Sequence, residues 1–183
     1  MPTPAKTSQA DLIHIGLALA TEGGADAVTV AAVAQAAGVK GPSLYKHFAD
    51  REALLTAIEI AVLYELEAVL RKVKGRTSRQ RIIGMAHAYR AFGHMAPQRY
   101  GLVYRKNVAD DPALAEACLF SAKPLFEDLE AAGLPPRRIL PVSRTLVAFL
   151  HGFVSMEIAQ AFRLGGSLDE AFEAGLETIL RDV

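Results

Sequence analysis

Two short apolar patterns of helical period meet at one glycine, which leaves this part of the chain few ways to pack. The first pattern predicts a helix whose buried stripe consists of Val30, Val33, Ala34 and Ala37. Gly38 ends that helix most simply by adopting the left-handed conformation that glycine permits. The second pattern predicts a short helix over residues 42–48, with Leu44 and Phe48 pointing inward together. Two helices joined by so tight a turn indicate a helix-turn-helix unit.

The outward side chains of this unit are polar or cationic. Between Val39 and Arg51 the three basic residues outnumber Asp50, the one acid. In a helix-turn-helix the second helix enters the major groove of DNA, where cations neutralise phosphates and polar groups bond to phosphates or base edges. The candidates are Lys40, Lys46 and Arg51 for phosphates, and Ser43, Tyr45 and His47 for hydrogen bonding. The alternative is a three-helix packing unit with an ordinary solvated face.

The rest of the chain predicts further helices and no strand, so the fold class is all-α. Alanine and leucine dominate, and no alternating apolar pattern of useful length occurs. Predicted helix starts are Ser8, Thr29, Asp50, Ser78, Pro97, Pro112, Pro141 and Ser167. Predicted stops are Gly23-Gly24, Gly38, Gly75, Met95, Gly133-Leu134-Pro135-Pro136, Arg163 and Arg181.

The charge is balanced overall but unevenly placed. With 20 basic and 20 acidic side chains, global charge gives no argument for nucleic-acid binding. No acid occurs between Glu67 and Asp110, a stretch that holds Arg71, Lys72, Lys74, Arg76, Arg79, Arg81, Arg90, Arg99, Arg105 and Lys106. This basic stretch, residues 71–106, fits a solvated helix surface, a flank that steers toward DNA, or a site for an anionic ligand.

Cysteine usage and the N-terminus indicate a cytoplasmic protein. Cys118 is the only cysteine, so neither an intrachain disulfide nor a cysteine metal cage can form. The first ten residues are polar, and Asp11 and His14 interrupt the apolar run that follows, which makes a poor signal peptide. No uninterrupted apolar run is long enough to span a bilayer, so we expect no membrane association.

The N-terminal motifs carry a family resemblance. A leading helix that ends in glycine precedes Thr29-Val30, Val33-Ala34 and Ala37-Gly38-Val39. The run Leu44-Tyr45-Lys46-His47-Phe48 and a charged pair then lead to Leu54-Leu55. In these features the chain resembles the N-terminal domain of the TetR family of repressors. The resemblance implies that Thr29 caps onto a phosphate, that Arg51 touches the DNA backbone, and that the residues facing DNA are Lys40, Pro42, Ser43, Tyr45, Lys46 and His47. Gly41 stands where many relatives carry a base-reading side chain.

The C-terminal part resembles a TetR regulatory domain named for a Trp-His-Gly signature. The matching run is Phe149-Leu150-His151-Gly152-Phe153, and the tryptophan is missing. Most aromatic residues here are expected to be plain core, but a regulator of this type has an apolar effector pocket with a few polar groups. The candidate lining residues are Arg90, Phe92, Met95, Tyr104, Phe120, Phe126, Phe149 and His151.

The last two helices are apolar on more than one face. This excess fits a homodimer interface, which the family resemblance implies, formed by Phe153, Ile158, Phe162, Phe172, Leu176 and Ile179. The alternative is that other helices of the same chain cover these residues.

Enzymatic and metal sites are not indicated. His87 and His94 share a helix face and could join His151 around a metal, but their spacing favours ordinary hydrogen-bonded histidines. No Ser-His-Asp order and no phosphate-binding glycine loop is present. We expect no cofactor, no metal and no catalytic residue.

Together these features predict a helix-turn-helix DNA-binding domain over residues 1–50 and an effector-binding and dimerisation domain over residues 51–183. Helix 51–74 would connect them. The expected function is a ligand-responsive repressor that binds a palindromic DNA operator as a homodimer and responds to a small-molecule effector. The competing class is a small-molecule sensor or enzyme that keeps the fold without regulating transcription.

Overall fold

The computed structural model describes residues 7–105 and 111–183, and in this part of the chain it is built from helices without strands. The all-α prediction is confirmed. The helices are α1 (Gln9–Ala27), α2 (Val30–Ala36), a 3₁₀ helix (Gly41–Lys46), α3 (Arg51–Arg71), α4 (Ser78–Met95), α5 (Pro97–Tyr100), α6 (Pro112–Ala131), α7 (Pro136–Ile158) and α8 (Leu168–Ile179). Lys106 of the basic stretch and residues 1–6 of the polar N-terminus lie outside the described residues.

The chain packs as two compact units. The N-terminal unit comprises Met1–Tyr64 and Ala96–Cys118, and the C-terminal unit comprises Glu65–Met95 and Leu119–Val183. Helices α3 and α6 contribute residues to both units. The sequence predicted a functional division into residues 1–50 and 51–183. The two packed units divide the chain differently, because the first two-thirds of α3 belong to the N-terminal unit.

The N-terminal unit packs α1, α2, the 3₁₀ helix and the first part of α3 around one core. The buried residues are Leu12, Ala20, Val28, Val33, Ala34, Leu44, Phe48, Leu54, Leu55, Ile58 and Leu102. Helices α1 and α3 approach closely at Gly16, where an added Cβ would collide with Ile58 Cδ1. Full burial of each leucine or isoleucine contributes roughly 1.5–3 kcal/mol, so these residues stabilise the packing of the unit.

Local capping sets several helix ends where the sequence predicted them. Ser8 Oγ accepts the Asp11 N–H at 3.1 Å, and Asp11 Oδ2 accepts the Ser8 N–H at 2.8 Å, which forms a capping box on α1. Asp50 Oδ1 accepts the Ala53 N–H at 2.8 Å at the start of α3. Helix α1 is interrupted at the predicted Gly23-Gly24, where Gly24 has φ 63°, and one further turn follows to Ala27.

Helix α7 differs from its predicted bounds at both ends. It begins at Pro136, and Pro141 lies inside it rather than in its first turn. Pro136 suits the start because its missing N–H would have no intrahelical partner there. The helix ends at Ile158 instead of near Arg163, because Gln160 adopts a left-handed φ of 52°.

Helix α7 is also the one described helix that is long and apolar enough, by length and composition alone, to cross a membrane. Its most apolar stretch has a mean hydropathy of 1.4, and 33% of that stretch is buried. The core helices of soluble proteins pass the same test, so this is weak evidence for a span.

Candidate nucleic-acid interface

Helix α2 and the turn after it are held as a helix-turn-helix requires. Thr29 Oγ1 accepts the Ala32 N–H at 3.0 Å and caps the helix, as predicted. Gly38 ends the helix with φ 67°, the left-handed conformation that the sequence predicted. The Val39 N–H then donates to Ala34 O at 3.0 Å, which folds the chain back across the end of α2.

The segment after this turn, residues 40–47, is the candidate reading segment. It contains a 3₁₀ helix over Gly41–Lys46, where the sequence predicted a slightly longer helix over residues 42–48. Its bonds are of the i→i+3 type, from Ser43 N–H to Lys40 O at 2.8 Å and from His47 N–H to Leu44 O at 2.9 Å. So few residues between two breaks favour 3₁₀ geometry, which is common in short connecting helices.

The reading segment has one buried and one exposed face. Leu44 and Phe48 are 1% and 5% exposed, which confirms the predicted inner face. Tyr45 is 59% exposed. The remaining predicted DNA-facing residues are exposed at Lys40, Pro42 and Lys46 and half-buried at Ser43 and His47. The inner leucine and phenylalanine thus anchor a short polar ridge at the surface.

The two lysines of the reading segment form no ion pair with any described residue. Lys40 and Lys46 are therefore exposed cations available to an external anion. An exposed phenol lies between them at Tyr45. Such a segment can neutralise phosphates and donate hydrogen bonds in a groove of DNA.

Thr29 and Arg51 differ in the hydrogen-bond donors that they leave available to a phosphate. Thr29 is exposed, and its hydroxyl oxygen accepts a bond while its O–H can still donate to a phosphate. The Arg51 guanidinium instead bonds inside the protein, from Nε to Val28 O at 2.7 Å and from Nη2 to Ala25 O at 2.5 Å. The sequence did not predict this, because the partners are backbone carbonyls more than twenty residues away.

Two family models match the chain. The model of bacterial regulatory proteins of the tetR family matches residues 12–58, and the model described as "Tetracyclin repressor-like, C-terminal domain" matches residues 82–179. The uncharacterized HTH-type transcriptional regulator Rv0681 of Mycobacterium tuberculosis is 33% identical over 157 residues, which is 85% of this chain and 72% of that protein. The chain belongs to the TetR family of transcriptional regulators.

Solved structures share the fold over nearly the whole TetR-family chain. A TetR variant of Acinetobacter baumannii AYE in complex with minocycline has a TM-score of 0.71 and 23% identity, covering 95% of this chain and 94% of that chain. BioQ of Mycobacterium smegmatis has a TM-score of 0.69 and 18% identity, covering 95% of this chain and 96% of that chain. At such low identity these matches establish the fold.

The predicted effector-pocket residues of this TetR-family chain are spread over both units. Tyr104 belongs to the N-terminal unit, and the others belong to the C-terminal unit. Phe92 is buried; Met95, Tyr104 and Phe120 are exposed; and Arg90, Phe126, Phe149 and His151 are half-buried. Burial lowers the pKa of His151, so its imidazole is held mainly neutral near pH 7. The pocket assignment stays a prediction.

Arg90 is engaged with carboxylates of the C-terminal unit. Its guanidinium donates to Glu157 Oε2 from Nε at 2.9 Å and to Glu157 Oε1 from Nη2 at 2.5 Å, and its Nη1 lies 2.8 Å from Asp169 Oδ1. It also lies 4.8 Å from the Phe172 ring centre and 5.7 Å from that of Phe153. Arg90 thus joins α4 to α7 and to the start of α8.

Glu157 is the buried partner in this cluster. Its side chain is 6% exposed and also bonds to His94 Nε2 at 3.0 Å. Burial alone would raise the pKa of Glu157, but the hydrogen bonds from Arg90 and His94 outweigh it, and the pKa is lowered. The carboxylate is therefore ionised at neutral pH. Sequence spacing gave no signal of this pair, because Arg90 and Glu157 are 67 residues apart.

Three of the six predicted dimer-interface residues are buried within a single chain. Phe153, Phe172 and Leu176 are 8%, 0% and 1% exposed within a single chain, so they have almost no surface left for a partner. The alternative, cover by helices of the same chain, holds for these three. Phe149 and Phe153 pack on Phe172 with ring centres 5.6 Å and 5.2 Å away. Ile158, Phe162 and Ile179 are half-buried and remain candidates.

Several arginines of the basic stretch pair with acids from outside it. Within the described residues the pairs are Arg71 with Glu67 and Glu127, Arg81 with Asp128, Arg90 with Glu157 and Asp169, and Arg105 with Glu52. His87 pairs with Glu173 at 3.0 Å. Each of these arginines is held by a carboxylate within its own unit, and the three interpretations of the basic stretch stay predictions.

One cavity of the C-terminal unit has a volume of about 370 Å³. Its apolar walls are Leu70, Val73, Met85 and Pro124, and its charged lining is Arg71, Lys74, Arg81, Glu127 and Asp128. None of the predicted pocket residues lines it. A volume of this size falls at the lower end of the range for small-molecule sites.

The described residues contain no group of three or more side chains placed to hold a metal ion.

Proposed function

We propose that this TetR-family regulator is a ligand-responsive repressor that binds a palindromic DNA operator as a homodimer. The observation that carries the proposal is the reading segment, where Leu44 anchors a ridge that exposes Tyr45, Lys40 and Lys46. The two cations have no described protein partner to satisfy them. Contacts between such cations and DNA phosphates release counterions, which makes binding favourable and dependent on salt.

A palindromic operator follows from a dimer with two-fold symmetry. Two reading segments must lie about 34–36 Å apart to enter successive turns of the major groove. Support for the dimer comes from α7, whose most apolar stretch is only 33% buried in its own chain. The exposed face of α7 includes Leu140, Pro141, Arg144, Thr145, Ala148, Gly152 and Met156. We assign the interface to this mostly apolar face with Ile158, Phe162 and Ile179, because burying it against a second copy removes apolar surface from water.

The effector in this proposal is a small molecule bound by the C-terminal part of the chain. The Acinetobacter baumannii relative in complex with minocycline supports a small-molecule ligand. The ligand acts by binding one dimer conformation more tightly than another, with a coupling of about 1–3 kcal/mol. Helix 51–74 transmits this conformational change to the reading segment. The protein works in the cytoplasm and has no enzymatic role.

A gel shift with the DNA that flanks its own gene tests the central claim. We expect a retarded complex that the same unlabelled duplex competes away and unrelated DNA does not. A sensor or enzyme that keeps the fold without regulating transcription has no preferred duplex. Equal competition by both DNAs would therefore favour that second class.

Lys46→Ala is expected to weaken binding to all duplexes and to flatten its salt dependence. Each lost phosphate contact reduces the slope of log affinity against log salt by about 0.9, so a dimer loses roughly two. The measurement is a titration by fluorescence anisotropy at several salt concentrations. Lys123→Ala, which removes an exposed lysine of α6, is the matched control and should leave the slope unchanged. An unaltered slope for the Lys46 variant would argue against a phosphate contact.

A further inference from the structure

Arg51, the first residue of α3, joins three parts of the N-terminal unit. Its Nε donates to Val28 O at 2.7 Å and its Nη2 donates to Ala25 O at 2.5 Å. Ala25 lies in the last turn of α1, and Val28 is the residue before the Thr29 cap of α2. One guanidinium therefore ties the end of α1 and the entry to α2 to the start of α3.

These carbonyls need a partner from outside their helix. The last carbonyl groups of a helix have no N–H of the same helix to bond. At the end of α1 the Val28 N–H bonds back to Ala25 O at 3.2 Å, and the Arg51 fork supplies a second donor there as well as a donor to Val28 O. Both bonds are partly buried and carry a charge on the donor, which makes them stronger than neutral ones.

The reading segment lies between the two ends that Arg51 ties together. Helix α2 leads into it through Gly38, and α3 follows it after the Asp50 cap. Holding the entry of α2 against the start of α3 therefore limits how far residues 40–47 can shift or tilt. The side chain is 38% exposed, yet the Nε and Nη2 edge that would grip a phosphate in a fork is turned to the protein. The remaining nitrogen, Nη1, lies 3.7 Å from Glu52 Oε1.

We infer that Arg51 is a positioning residue that sets the geometry of the reading segment and does not contact a DNA phosphate itself. The test of this inference by DNA affinity rests on the proposed function. The test by hydrogen exchange, which measures packing without DNA, does not. A lysine can replace an arginine that contacts a phosphate, but it cannot replace one that holds two carbonyl groups in position. Lysine keeps the charge but lacks the fork that reaches two carbonyls at once.

The test compares Arg51→Lys with Arg51→Gln on one probe, a duplex that the wild-type protein has selected from a random library. We expect both variants to lose affinity by roughly ten-fold, the effect of about one lost charged hydrogen bond. The salt slope should remain that of the wild type. A near-normal Arg51→Lys with a reduced slope in Arg51→Gln would overturn the inference, because that pattern belongs to a phosphate contact.

Hydrogen exchange without DNA tests the packing directly. Amides of residues 25–48 should exchange faster in both Arg51 variants, while the core of the C-terminal unit stays protected. Glu52→Gln is the matched control, since it removes the carboxylate beside Nη1 together with the Arg105–Glu52 pair and leaves both carbonyl bonds of Arg51 intact. Unchanged exchange in the Arg51 variants would overturn the inference. If the wild-type protein selects no duplex, the proposed function fails, and the exchange data still decide the role of Arg51.

Discussion

Replacing Leu44 with alanine is expected to lower the free energy of unfolding by about 2–5 kcal/mol, the usual cost of opening a cavity at a buried leucine. Leu44 is 1% exposed and is the inner anchor of the reading segment. Operator affinity should fall with stability, because the segment loses the packing that holds its ridge in place. Chemical denaturation followed by circular dichroism measures the first effect, and anisotropy titration measures the second.

Tyr45→Ala is the matched control, since Tyr45 is the next residue and is 59% exposed. Its removal should leave the free energy of unfolding within about 0.5 kcal/mol of the wild type, as is usual for surface substitutions. Operator affinity should nevertheless fall, because the phenol lies on the outer face of the reading segment. A stability loss at Tyr45 equal to that at Leu44 would mean that the two faces are not distinct.

Glu157→Gln is expected to lower the free energy of unfolding by about 3 kcal/mol, since it leaves the partly buried Arg90 without its main counter-charge. The side chains of Arg90 and Glu157 are 19% and 6% exposed, so solvent cannot replace the lost carboxylate well. Glu127→Gln is the matched control. It breaks the Arg71–Glu127 pair, whose side chains are 44% and 48% exposed, and such pairs contribute only about 0–1 kcal/mol.

The Glu157 effect should depend on pH. The bonds from Arg90 and His94 lower the pKa of the folded carboxyl below its ordinary value of 4.5. The unfolded chain therefore takes up this proton at a higher pH than the folded chain does. The stabilisation is fully present above the ordinary value and is lost as the pH falls through the folded pKa. Denaturation at a series of pH values should show the wild type and Glu157→Gln converging in acid, and a constant gap would contradict the assignment.

Much of the fold was predictable because it depends on neighbours in sequence. The caps at Ser8, Thr29 and Asp50 bond to amides three residues ahead, and such bonds form wherever the chain begins a helix. Gly38 adopts the left-handed turn for a reason contained in one residue. The inner face of the reading segment follows from the spacing of Leu44 and Phe48.

Other predictions were wrong, and some contacts were missed, because sequence spacing does not choose among equally plausible contacts. Phe153 and Phe172 are apolar enough for either a core or a dimer interface, and the packing of α7 on α8 buries them in their own chain. Pro141 could open a helix, but Pro136 opens it earlier. The cluster around Arg90 needed acids that lie more than sixty residues along the chain.

By itself, the order of residues determined that this chain is all-helical, where its first helices begin and turn, and which family it resembles, because periodicity, caps and a glycine turn act over a few residues. Only the tertiary structure decided which charges are left for a partner outside the protein. Arg51, Arg81 and Arg90 look as free as Lys46 in the sequence, yet folding brings carbonyl or carboxylate oxygens to each of the three arginines. The distance between charged groups sets their energy, and folding alone sets that distance.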